Sequence, residues 1–225
     1  MSIFAQGDTA RSSVGGTDPA LEISSMRRLA AALGEPGFAG ALLAVAQAHA
    51  DIDQISLFAL DESSGFESIF NIGTLLAPQA AARLSRLYCE EYFQLDPLFD
   101  RVARYRNALE ADIEVHSSAT LRSADPLSQH IGFGAKCSLI FEKGGPTYYL
   151  SCYRRHGAPH FSDAECKTIE QFSAPLRGLI HAHHRLMRKY EGEAWPSQAV
   201  MGGHDCRSAE QLLFSVHHLL ARDGA

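Results

Sequence analysis

Tyr88, Tyr92 and Asp96 recur at four-residue intervals and are followed at once by Pro97. On an α-helix that spacing sets both phenols on one side, with the carboxylate near the same side one turn later. A carboxylate and two phenols facing an apolar sheet can fix the amide and carbonyl of a small amphipathic ligand. A second reading uses the same residues: Asp96 before Pro97 is also an ordinary helix start, with the tyrosines at the edge of a core. The spacing leaves both open. On the first reading Tyr88, Tyr92 and Asp96 point into one cavity bounded by strands carrying Phe58 and Leu139. The candidate ligand-binding residues are then Tyr88, Tyr92, Asp96, Phe58, Phe99 and Leu139.

Other constellations give less chemistry. The chain has no Gly-x-Ser-x-Gly elbow, no phosphate-cradling Gly-x-x-x-x-Gly-Lys and no Gly-x-Gly-x-x-Gly. No catalytic residues converge, so an enzyme is not expected. His181 and His184 share a helix at i,i+3 but lack a third ligand nearby in sequence. With Arg177, Arg185, Arg188 and Lys189 around them they read as a basic, solvated helix end that suits the C-terminal dipole. No metal and no cofactor are expected. Five cysteines without a Cys-x-x-Cys pair read as free thiols, and Cys137 and Cys152 as small buried residues on facing strands.

The elements that must position these residues follow from periodicity. Helices are expected over 18–33, 38–50, 78–95, 98–105 and 162–190, with a short one at 126–131. The break at Asp96-Pro97 follows because the residue before proline leaves the α region. Strands are expected over 53–60, 66–72, 107–115, 136–143 and 147–154. Ile55, Leu57 and Ala59 alternate with Ser56 and Phe58; Cys137, Leu139 and Phe141 share a face, as do Tyr148, Leu150 and Cys152. Ser162-x-x-Glu165 is a capping box, and Pro175 should kink or divide the helix that it opens. Gly132-Phe133-Gly134 reads as a tight turn before a strand. Five short strands with helices at both ends give an α+β fold on a mainly antiparallel sheet.

The 225 residues fit one large domain with appendages. Residues 1–16 read as a flexible tail, 17–190 as the domain, 191–207 as a linker and 208–225 as one amphipathic helix. With 46% hydrophobic and 20% charged residues the composition is that of an ordinary globular protein. No apolar run reaches the roughly 18–20 residues that cross a bilayer, and the N-terminus lacks a signal-peptide pattern. A cytoplasmic location without membrane association is expected. A net charge of −6 argues against duplex binding by this chain alone.

Residues 88–97, Asp112-Ile113, Lys136-Cys-Ser-Leu139, Tyr148-Tyr-Leu-Ser-Cys-Tyr-Arg154 and Phe161-Ser-Asp-Ala-Glu165 occur in an order that resembles the N-terminal sensor region of LuxR-type transcriptional regulators. The resemblance covers roughly residues 20–190. It implies an α-β-α sandwich related to GAF and PAS domains, with a small signal held between the sheet and one helical layer. In the acyl-homoserine-lactone branch an aspartate at the position of Asp96 bonds the ligand amide. That branch also carries a tryptophan where this chain has Arg83 and Leu84; here the only tryptophan is Trp195. A GAF-like relative with another ligand, or none, is therefore the expectation.

The resemblance further implies a homodimer that reaches DNA only through an output domain absent from this chain. Residues 208–225 are either the start of that helix-turn-helix unit or the end of a stand-alone sensor that pairs with a full-length regulator. Leu29 and Leu33, with Phe172, Leu176, Leu179 and Met187, supply apolar surface for the dimer contact or else complete the monomer core. The runner-up reading is a ligand-free GAF-like interaction module acting as a regulator's partner or antagonist.

Overall fold

Alternating side chains on β1 (Gln54–Asp61) divide the protein into two layers about one sheet. The computed structural model describes residues 19–61, 65–96, 99, 112–117, 132–143 and 145–190; the expected tail, linker and last helix lie outside them. With β2 (Gly65–Gly73), β3 (Asp112–Ser117), β4 (Phe133–Glu142) and β5 (Thr147–Arg155), β1 forms an α+β fold on an antiparallel five-stranded sheet of order β2-β1-β5-β4-β3. Expected residues 107–111, 126–131 and most of 98–105 fall outside the described part.

Register decides which side chains share a face. Leu57 stands opposite Leu150, and Leu150 opposite Leu139, so these three form one row. Phe58, Tyr149 and Ile140 form the next row, on the other face. A bulge between Phe133 and Ala135 holds Gly134, where a Cβ would collide with the carbonyl oxygen of Arg155. Close backbone approach, more than a turn, therefore explains that glycine.

The first face is covered by α1 (Pro19–Ala31), α2 (Phe38–Gln47) and the C-terminal α4 (Asp163–Tyr190). Leu29, Phe38, Leu42 and Val45 meet Phe172, Leu176 and Ile180 over Ile55, Leu57, Leu139 and Leu150. Each such side chain contributes roughly 1.5–3 kcal/mol by leaving water. The second face carries α3 (Pro78–Leu87) and the turns after it.

α4 opens as its sequence demands. Glu165 accepts from the Ser162 N–H and hydroxyl at 2.9 Å each, and the Ser162 hydroxyl accepts from the Glu165 N–H. The helix then runs unbroken through Pro175, so of the expected kink or division the division does not occur. Pro175 and Gln171, whose carbonyl loses its helical donor, are both exposed, so water can take over that acceptor.

Arg154 ties the covering layer to the sheet. Its guanidinium, 1% exposed, donates to the carbonyls of Asp51 (2.7 Å), Pro159 and His160 (3.0 Å each) and to Glu165, and lies 4.0 Å above the Phe161 ring. Burial opposes ionisation of Glu165, but bonds from Ser162 and Arg154 hold its carboxyl below the usual range.

The helix histidines face inward, with His183 and His184 buried and His181 half-buried. His181 and His184 both place Nδ1 3.1 Å from the Tyr148 hydroxyl, and His184 Nε2 lies 3.1 Å from Glu67. His183 stacks on Phe38 with ring centroids 3.9 Å apart and accepts from the Gly34 N–H at 3.1 Å. Their i,i+3 and i,i+2 offsets face the sheet and α2, and this inward direction outweighs the helix dipole. No group of three or more candidate metal ligands occurs among the described residues.

Five of the six residues weighed between a dimer contact and the monomer core pack in or against that core. Leu29, Phe172 and Leu176 are buried, while Leu33 and Leu179 pack against that core half-buried. Among the described residues Ile23 is the large apolar side chain left exposed. Cys137 and Cys152 face each other across β4 and β5 as free, buried thiols. Burial pushes Cys152 up to about 12 and Cys137 higher still. No helix among the described residues is long and apolar enough to cross a membrane.

Two outcomes follow. Arg154→Met leaves three carbonyls and Glu165 without their donor, and should lower stability by on the order of 3 kcal/mol in urea unfolding, with an unchanged m-value. Burial, with His184 nearby, lowers His183 to about 4. Its neutral form is thus favoured in the folded state: stability is complete above pH 6.5 and falls as pH drops towards 4, by about 3 kcal/mol. His183→Asn, which keeps an acceptor for Gly34, should flatten that slope between pH 7 and 4.5.

Candidate ligand site on the second sheet face

α3 is amphipathic and begins at Pro78, but it ends earlier than the expected residue 95. Tyr88–Tyr92 form a π-helical turn and Phe93–Leu95 a 3₁₀ turn before Asp96, whose ψ of 123° turns the chain away. A π-turn spaces contacts at five residues instead of four, and such turns favour functional sites. Tyr92 therefore rotates back to pack against Leu87 and Leu84, in a small cluster with Tyr88.

Asp96 is the centre. Tyr88 donates to its Oδ2 at 2.6 Å, Tyr149 at 3.1 Å and the Lys136 ammonium at 3.3 Å. The side chains of Asp96 and Lys136 are each 6% exposed. Lys136 also lies 5.0 Å from the Tyr149 ring and 5.9 Å from that of Tyr153. This is a buried, charge-balanced cluster, with a short charge-assisted bond from Tyr88. Its carboxylate is buried and not solvent-exposed.

Protonation states follow from the surroundings. Burial, then Tyr149 and Asp96, hold the Tyr88 phenol well above its usual range. Burial likewise raises Tyr149, against the opposing pull of Lys136. Burial alone would lower Lys136, yet Tyr149, Asp96 and Tyr153 together hold it well above normal. At neutral pH the phenols donate and the ammonium keeps its charge.

Beside this cluster lies an aromatic wall. Phe58 packs on Tyr88 at 4.9 Å and on Phe66 at 5.4 Å; Phe66 stacks on Phe93 at 5.0 Å, and Phe93 meets Phe99 edge-on at 4.7 Å. Behind it the sheet surface is polar. Ser56, Ser151 and Ser138 align across β1, β5 and β4, all buried.

Four of the six candidates, Tyr88, Asp96, Phe58 and Phe99, thus meet on this face. Tyr92 stands aside for the reason given. Leu139 is a correction: it points to the opposite face, where it lines a void of about 30 Å³ with Leu42, Leu150 and Leu176. That space suits at most a water-sized guest. The residues missed were Lys136 and Tyr149. Their signal lay in strand parity, since both alternate with side chains of the first-face core. A concavity of about 750 Å³ lies over the edge strand β2 and reaches the wall at Phe66; Ile69, Phe70, Leu76 and Arg86 also line it, and it gathers no buried charged group.

The architecture has a counterpart. The VqsR LBD domain from Pseudomonas aeruginosa superposes with a TM-score of 0.53 at 15% identity, over 74% of this chain and 98% of that one. The chain shares the VqsR fold. Structural neighbours at lower TM-score are a LuxR-family and a GAF protein. They are the N-acylhomoserine lactone dependent LuxR family factor CepR2 from Burkholderia cenocepacia (0.48, 16% identity, 77% and 99% coverage) and GAF3 from Slr1393 of Synechocystis (0.45, 16%, 74% and 99%). No family model matches the chain, and no curated protein matches it.

The ion pair yields a test. Lys136→Met strands the Asp96 carboxylate in a buried site and should cost about 3–5 kcal/mol. Asp96→Asn combined with Lys136→Met should recover most of that loss. Urea unfolding of the four-member cycle measures the coupling.

Proposed function

We propose that this chain is the signal-sensing and dimerisation domain of a LuxR-type transcriptional regulator, taking a small amphipathic molecule between the sheet and α3. The observation that carries this reading is Asp96, held inward on the sheet face by Tyr88, Tyr149 and Lys136 beside an aromatic wall. Polar groups fixed in advance next to apolar rings are what a small-molecule site requires. Ligand binding would shift the population towards a dimer. Any dimer contact uses a surface other than Leu29, Phe172 and Leu176, which the monomer core consumes. In this reading DNA is contacted by an output unit, carried on a longer chain or on a paired regulator, and the protein works in the cytoplasm.

One observation favours a second reading, a ligand-free GAF-like interaction module. Lys136 already neutralises Asp96, and Phe58, Phe66, Phe93 and Phe99 pack on one another. Native mass spectrometry of the protein purified from its own host separates the two. A bound small molecule that is lost in Asp96→Ala supports the sensor. A bare chain, whose sedimentation at tens of micromolar is unaltered by host extract, supports the module.

A further inference from the structure

Three cysteines meet on the first face. Cys137 on β4 is the register partner of Cys152 on β5, and such a pairing in an antiparallel sheet sets the Cα atoms about 4.5–5.5 Å apart. Cys166 lies on the stripe of α4 that carries Ile169, Phe172 and Leu176 to the core, at the spacing of one helix face. Its sulfur accepts a hydrogen bond from the Cys137 thiol. The first turn of α4 is fixed around it. The Cys166 N–H donates to the Ser162 carbonyl at 2.9 Å, and Glu165 beside it is bound by Ser162 and Arg154.

The three thiols differ in access. Cys137 and Cys152 are 1% and 5% exposed, whereas Cys166 is half-buried between exposed Ala164 and Lys167. A dissolved oxidant therefore meets Cys166 first. The thiolate is the form that reacts, and the surroundings of Cys166 act on it both ways. Burial raises the thiol, as do Asp163 and Glu165, while the Cys137 S–H and the Arg154 guanidinium oppose them without cancelling them. Reaction at Cys166 is thus slow, and suits sustained exposure to oxidant better than a pulse.

We propose that Cys166 and Cys137 are a modification site for hydroperoxides, which join them in a reversible disulfide that staples α4 to β4. The Cys166 thiolate attacks the peroxide O–O bond, taking one oxygen as a sulfenic acid and releasing the other as water or an alcohol. Cys137 then attacks that sulfur, the S–S bond forms, and the sulfenic oxygen leaves as water. Two thiols and one hydroperoxide become one disulfide, one water and one further water or alcohol. Two electrons pass from the sulfurs to the peroxide, and a dithiol reductant returns them by exchange. The void of about 30 Å³ bounded by Cys152, Ile169, Phe172 and Leu176 leaves room for the small shift that S–S bonding needs. The site lies on the face opposite Asp96 and is independent of the sensor reading.

The test uses the full 225-residue chain carrying Cys206→Ser, which removes the fifth thiol. Millimolar hydrogen peroxide should convert it within hours to a species lighter by two hydrogens. Peptide mapping without reductant should then join the peptides that hold Cys137 and Cys166, and dithiothreitol should separate them. The oxidised form should melt about 5–10 °C higher. Amide hydrogens in the first turns of α4 should exchange about tenfold more slowly in it. Cys166→Ser should abolish the link and both shifts, whereas Cys89→Ser and Cys152→Ser should leave the link in place. A link between Cys137 and Cys152, or advance of Cys166 to a sulfinic acid with no link, overturns the proposal. So does an absence of reaction in the folded protein. A link that changes neither melting nor exchange shows that α4 is not held by it, and overturns the proposal as well. The mapping needs no cysteine variant in the pair, so a variant that fails to fold leaves these outcomes decisive.

Discussion

A sheet covered on both faces leaves its polar side chains no water to turn to, and that constraint organises this protein. On the first face the strands answer with apolar residues, and the buried cation there among the described residues, Arg154, lies at the sheet's end, where loop carbonyls and Glu165 surround it. On the second face the strands carry Lys136, three serines and two tyrosines, so the chain must bring a counter-charge to them. Asp96 is that counter-charge. The wide π-turn before it sets Tyr88 within bonding distance and lets the backbone leave the helix at the required place. Sheet, turn and carboxylate therefore depend on one another: remove the charge match and the second layer loses its anchor.

Much of this was legible in sequence, and the limits are physical. Alternation in β1 correctly separates Ile55, Leu57 and Ala59 from Phe58, because the period of a strand is strict. Parity within a strand says nothing about parity between strands, which register decides. Leu139 was assigned beside Phe58 for that reason, although its row is Leu57 and Leu150. The capping box at Ser162 and Glu165 was readable because it is local. Lys136 was not, since lysine in a strand ordinarily marks the exposed side, and only a distant carboxylate overturns that. The π-turn left no signal, because Tyr88 and Tyr92 fit an α-helix equally well.

The histidines show the same division between local and distant information. Their spacing on α4 is readable locally, yet their burial depends on partners more than a hundred residues away in sequence, Gly34 and Glu67. One tyrosine hydroxyl, that of Tyr148, meets two of them and so joins the middle of the sheet to the last turns of α4. Motion of that helix end relative to the sheet must break these contacts, along with the stack of His183 on Phe38.

The paired thiols on the first face give the molecule a built-in clock. With Cys152 at about 12, only roughly one thiol in 100,000 is ionised at neutral pH, and α4 lies over both sulfurs' neighbourhood. Alkylating reagents can therefore reach Cys137 and Cys152 only during excursions in which helix and sheet part. Their modification rate counts those excursions directly, without an added label.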